Sequence, residues 1–377
     1  MSAVLEVAAE RAGAANCLCP PDIAASGSSG PPQTRVVLLL GAGAAASVLS
    51  QALTFSLLPL VGTMLAPSRW LAALPLVAVF VGAIVATFPA SILTDAFGRR
   101  AAFALGASLG VAGGLVVACG LMLSAFWLVA VGAFWLGIAN GFALRYRHAA
   151  AAGTNAEATR AVALVLGAGA LIGLIAPTLA GLAESKLTPF LGVGSALVAA
   201  AAHVFALGAA IALPSGSGAP VRVSHDPGER RWLLPTLTAA VAWFGMMAVM
   251  AFAPLGLAGC GFGFSTTVGA VAWHLVAMYA PALALGVLLK RFGPGTISTT
   301  GLVLIGLAAV AAGMTPSGAS VLLALVTAGA GWSLATSAAL VALHRGGPSR
   351  LAVAAHDASI LIAGAGGALL SGQFFGT

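Results

Sequence analysis

Met246, Met250, His274 and Met278 are the residues of this chain whose types and spacing best suit chemistry. Each pair is separated by four positions, so on an α-helix its two side chains share a face. Thioether sulfur and neutral imidazole are soft, uncharged donors that pass a monovalent ion without a buried carboxylate, which puts Cu(I) first among the ions they suit. Zn(II) or Mn(II) would be expected to recruit Asp, Glu or more His. Packing is the competing explanation, since Met fills gaps between helices and a lone His is often an interior hydrogen-bonded group. Met247 lies one position off the Met246/Met250 face and is expected to pack. Cys260 is placed to receive an ion from outside and Cys119 is a weaker candidate, although both read equally well as small buried hydrophobes. Cys17 and Cys19, in Cys-Leu-Cys-Pro, either capture a thiophilic ion or are incidental reduced thiols.

Composition decides what must position these groups. Of 377 residues, 60% are hydrophobic and 7% charged, which excludes a soluble globular chain and implies an all-α polytopic membrane protein. Apolar stretches long enough to span run over 36–66, 71–94, 101–122, 125–145, 160–183 and 190–213, then 232–257, 266–289, 297–315, 319–343 and 350–376. Eleven helical spans are therefore expected. With the N-terminus inside, 14 of the 16 Lys and Arg residues fall on the cytoplasmic side, only Arg69 and Lys186 lying outside. The formal charge of +7 then reflects topology and lipid headgroups, not nucleic acid. On this topology the seventh helix rises and the eighth descends. Met246 and Met250 thereby reach a depth close to that of His274 and Met278, so that four ligands could face one cavity.

An internal repeat organises the chain. The stretch Ser91 to Arg100, after the second span, matches Gly286 to Gly293, after the eighth, at an offset of 195 residues. The divisions that follow are a cytoplasmic extension over 1–35, a first bundle over 36–213, a linker over 214–231 and a second bundle over 232–377. Asp95, Gly98, Arg99 and Arg100 resemble the signature of the major facilitator superfamily in the loop between its second and third helices. The match is incomplete, with Ser91 in place of the leading Gly and the arginines one position closer to Gly98. The resemblance implies two homologous six-helix bundles. By the offset, the partner of the sixth span would start near 385, past Thr377, so the twelfth helix is expected to be missing. Lys290 stands where the second loop would carry its acid, so only the first loop is expected to latch the halves by charge.

No acidic residue lies at the middle of a helix, and Asp357 sits about two turns into the eleventh span. A routine proton symporter is disfavoured on that ground, although His203, His274 or Asp357 could relay protons. The Met-x-x-x-Met of helix seven and His-x-x-x-Met of helix eight, with the stretch from Ala272 to Gly293, resemble the CcoA-like copper importers of that superfamily. That resemblance implies copper uptake across a bacterial inner membrane for haem-copper oxidase assembly, with copper as cargo, no resident cofactor, and copper chaperones or oxidase assembly factors as partners. Arg145, Glu157 and Arg160 are candidates for a cytoplasmic gate or are simply snorkelling charges, and His356 with Asp357 are candidates for an inner gate. Gly364 to Gly367 lack a following Lys and hydroxyl residue, so no phosphate loop and no catalytic constellation is present. Two other readings remain open, a proton-coupled drug or metabolite exporter of the same fold and a transport-inactive membrane chaperone that hands on copper.

Overall fold

A computed structural model describes residues 33–151, 155–214, 230–262, 264–314, 317–345 and 347–375. The helices are α1 Gln33–Leu65, α2 Leu74–Met122, α3 Phe126–Ala143, α4 Arg145–Ala151, α5 Asn155–Lys186 and α6 Val193–Ile211, followed by α7 Leu233–Gly259, α8 Phe264–Leu283, α9 Leu285–Met314, α10 Gly318–Arg345 and α11 Arg350–Phe375. No strand occurs among the described residues. Val37–Thr377 form one compact unit, and of Met1–Val36 only the start of α1 is described. Cys17, Cys19 and most of the 214–231 linker lie outside the described residues.

Among the described residues, nine helical stretches are long and apolar enough to cross a membrane. Two of them, Arg69–Met122 and Gly269–Ala312, hold two spans each, which gives the eleven expected. The internal break is a single glycine in both cases. Gly98 has φ 82° and ψ 166° inside α2, and Gly293 has φ 73° and ψ 164° inside α9. These positions are 195 residues apart, so the repeat seen in the sequence is a repeat of backbone geometry. The gaps expected between spans two and three and between spans eight and nine are shorter than the sequence suggested, because helical conformation continues up to each glycine.

Nothing stands within 4 Å of a Cβ added at Gly98 or Gly293, so space does not select glycine there. The backbone does, since positive φ with ψ near 165° is closed to side-chain-bearing residues. Gly98→Ala is expected to cost about 1–3 kcal/mol of strain and to lower the melting temperature of the purified protein, with Gly293→Ala doing the same. Unchanged melting in both variants would contradict that assignment.

Helix contact elsewhere depends on missing side chains. A Cβ on Gly137 of α3 would overlap the Val79 carbonyl of α2, and one on Gly82 would overlap the Phe134 carbonyl, so these two helices touch backbone to backbone. The same closeness builds the seam between α1–α6 and α7–α11. There Gly169 of α5 sits against the Tyr279 ring of α8, Gly173 against the backbone of Ala272, and Gly364 of α11 between Phe80, Trp243 and Met247. Most buried hydroxyls are absorbed locally, as Ser47 donates to Gly43 O at 2.9 Å, Thr54 to Ser50 O at 2.6 Å and Thr336 to Trp332 O at 2.7 Å. Such groups are spent on their own helices, which narrows the search for a site to the polar atoms left over.

Candidate functional site

One cavity of about 100 Å³ lies on the seam, walled on the α1–α6 side by Gln51, Phe55, Asn140, Tyr146 and Arg147. Its opposite wall carries Trp243, Met246, Met247, Met250, Met278, Tyr279 and Trp332. The chemistry of the walls differs. One presents carboxamides and a guanidinium, the other four thioethers and three aromatic rings. Trp332 packs edge-on to Trp243 at 5.4 Å between ring centroids and to Tyr279 at 5.9 Å, fixing the ring orientations. The side-chain carboxamides of Gln51 and Asn140 make no hydrogen bond among the described residues, and Asn140 is 8% exposed. A buried carboxamide without a partner is costly unless a ligand or solvent takes its place, so these two point to recognition of something polar.

Met246, Met250 and Met278 thus come to one cavity, as their spacing suggested. Two expectations are corrected. Met247 lines the cavity and does not merely pack, because α7 presents a broader arc to the seam than a single i, i+4 row. His274 does not line it. The ring is fully enclosed against α10, where Nδ1 lies 2.6 Å from Leu325 O. A carbonyl only accepts, so Nδ1 carries the proton and donates, leaving Nε2 as a bare lone pair that finds no partner. The close approach is allowed by Gly329, whose added Cβ would stand 3.0 Å from that nitrogen. A ring held through Nδ1–H to a carbonyl with Nε2 free is the arrangement in which histidine ligates metals.

The end of the bundle that carries Arg99, Arg100, Arg145 and Arg350 is closed by charge. Asp95, at the end of the first span of α2, pairs with Arg350, the first residue of α11, and so joins the two halves. Arg99 and Arg100, the other members of the signature, follow the Gly98 break on α2. Deeper in, Asp357 of α11 accepts from Arg147 Nη2 at 2.6 Å and faces His148 Nε2 at 2.8 Å, both on Oδ1, while Arg145 Nη1 is 3.8 Å from Oδ2. His148 Nδ1 lies 2.9 Å from Nε2 of His344, on α10. His356 Nδ1 faces Thr236 Oγ1 at 3.0 Å.

Arg145, His356 and Asp357, candidates from sequence, therefore meet in one buried cluster, joined by Arg147, His148 and His344. Glu157 and Arg160 do not join it, being exposed on α5. His203 packs in the first half, its ring against Gly110, and Cys260 follows α7 half-buried, away from the thioethers. Sequence reasoning missed His344 altogether. The signal available for it was its near-symmetric placement, 196 positions from His148. Among the described residues no group of three His, Cys, Asp or Glu side chains is arranged to hold a metal.

No family model matches the chain. It is 29% identical over 289 residues to the riboflavin transporter RfnT of Brucella anthropi, covering 74% of this chain and 72% of that protein. It is 28% identical over 347 residues to the MFS-type transporter YddS of Bacillus subtilis, covering 83% of this chain and 79% of that protein. The solved structure of the proton:xylose symporter XylE superposes with a TM-score of 0.71 over 90% of this chain and 88% of that one, at 13% identity. With its paired glycine breaks and its cavity between two sets of helices, the chain is a multi-pass membrane protein with the major facilitator fold.

Proposed function

We propose that this protein is a transporter that carries copper, as Cu(I), into a bacterial cytoplasm by alternating access through the cavity between its halves. The observation that carries this reading is the convergence of Met246, Met250 and Met278, with Met247, on one cavity lined by no carboxylate. Thioethers bind Cu(I) weakly one at a time and so suit a passing ion. His274 Nε2 is the next donor along α8, one turn from Met278, and its tautomer is already set by Leu325. Delivery to haem-copper oxidase assembly belongs to this reading through the copper-importer resemblance alone.

A second reading has its own support. The unpaired carboxamides of Gln51 and Asn140, opposite the Trp243, Trp332 and Tyr279 rings, suit a planar heterocycle with a hydrogen-bonding edge, and the relative RfnT is named a riboflavin transporter. Measuring copper and riboflavin accumulation side by side, in cells with and without the gene, separates the two. Loss of copper alone on deletion supports the first reading, and loss of riboflavin alone replaces it with the second.

A further inference from the structure

We propose that the cavity between the halves holds a second subsite, for a small monovalent anion of the halide class, centred on Nη1 of Arg147. The inference starts from the charge at the seam. Among the described residues, the charges acting on Arg145 are those of Asp357, Asp95, Arg147 and Arg350, which with Arg145 itself sets three guanidinium groups against two carboxylates. Asp95 is taken by Arg350, so the single carboxylate of Asp357 is left to balance both Arg145 and Arg147. His148, His344 and His356 also stand in the cluster and can only add positive charge. A buried cation without its counter-charge is costly, and none of the residues lining the adjoining cavity is acidic.

The bonds of Arg147 set the direction in which the excess charge is open. Its Nη2 donates to Asp357 Oδ1 at 2.6 Å, and its Nε is enclosed without a partner. Nη1 makes no hydrogen bond among the described residues and is not enclosed, so it is the nitrogen this side chain presents to the cavity it lines. Arg147 is 8% exposed, which leaves little solvent to screen it. The same cavity offers other unspent donors, the carboxamide of Asn140 and the hydroxyls of Tyr146 and Tyr279. Tyr279 stands across the seam on α8, near enough for the Arg147 charge to act on its hydroxyl. An anion held here takes donors from both halves.

The bonding pattern also selects the kind of anion. Arginine recognises a carboxylate or a phosphate best through two parallel N–H bonds from one edge of its guanidinium. Both such edges include Nη2, and Asp357 already holds the Nη2 of Arg147. One free Nη1 with neutral N–H and O–H donors around it suits a spherical ion that has no fork to match, which chloride is. On the copper reading, to which this consequence alone belongs, Cu(I) crosses together with its halide. The thioethers take the metal and Arg147 takes the anion, so the loaded cavity carries the same net charge as the empty one.

The test uses neither copper nor riboflavin, so its failure leaves the choice of cargo untouched. Full-length protein in nanodiscs is melted in sodium gluconate and in sodium chloride at one ionic strength, which removes general screening. Chloride is expected to raise the midpoint by about 2–4 °C, saturating below about 150 mM, and bromide to do the same. Arg147→Gln should lose the response. A second variant covers failure of that one to fold. Asn140→Asp places a carboxylate in the cavity at unchanged volume, and is expected to melt in gluconate at or above the wild-type temperature with no response to chloride. Broadening of the chloride NMR line by the wild-type protein, reversed by bromide, reads the same site without unfolding it. Four results would each overturn the proposal: a wild-type midpoint and linewidth indifferent to halide, a response that survives in Asn140→Asp, lower melting of that variant, or greater stabilisation by benzoate than by chloride at equal concentration. The last would show that the wall recognises the carboxylate of an organic cargo.

Discussion

Met246→Leu combined with Met278→Leu is expected to bring copper accumulation down to that of cells without the gene, with the amount of protein in the membrane unchanged. Leucine preserves volume and apolar character at both positions, which are 1% and 7% exposed, so the packing of the seam survives while two sulfurs are lost. Loss of a supporting partner to a metal ligand typically costs about 10- to 100-fold in affinity, and loss of two direct donors should exceed that. Gly329→Ala is a finer probe of the same site. It crowds the His274 ring that the glycine admits and the backbone of Met278, disturbing the Nδ1–H bond to Leu325 without removing any sulfur. Copper uptake in the double Met variant at the wild-type rate, measured with a labelled ion at low external copper, would remove the thioethers from the pathway. If riboflavin uptake is lost instead in Asn140→Leu, the carboxamide wall is the working surface.

Asp357→Ala is expected to be the most destabilising single substitution at the seam. Arg145, Arg147 and Asp357 have side-chain exposures of 11%, 10% and 1%, so little solvent screens them. Removing one partner of such a buried pair costs about 3–5 kcal/mol, because the remaining charges are left uncompensated. Adding Arg147→Met to Asp357→Leu should recover part of the loss, since both members are then apolar, while Arg145 still lacks its counter-charge. The measurement is thermal unfolding of the purified protein with each variant. Melting of Asp357→Ala at the wild-type temperature would show that the halves are held by glycine-backed packing along α5 and α8, with the charges incidental. The Asp95–Arg350 pair should behave differently. Arg350 is 48% exposed, and a pair screened to that degree contributes at most about 1 kcal/mol.

The parts of the site that were legible in the sequence are those defined by one helix. Met246 and Met250 share a cavity because they share a turn, and Met278 joins them from α8. His274 obeyed the rule too, sharing a face with Met278, yet its ring entered α10. In a helix apolar on all sides no polar face fixes the rotation about the axis, and the missing side chain at Gly329 leaves room for the ring against α10. Met247 reached the cavity for a related reason, the width of the arc that α7 presents to the seam.

By itself the sequence determined the membrane class, the number of spans, the repeat and the basic end. All of these follow from hydrophobic length, charge placement and motif, which are properties of local segments. Only the tertiary structure decided that Arg147, His148, His344 and Asp357 form one cluster. They come from α4, α10 and α11, with up to 210 positions between bonded partners, and nothing in the periodicity of any one helix records which residue of a distant helix will face it. The meeting is set by how closely the backbones of the two halves approach along the seam, which the glycines of α5 and α11 permit and the ion pairs then hold.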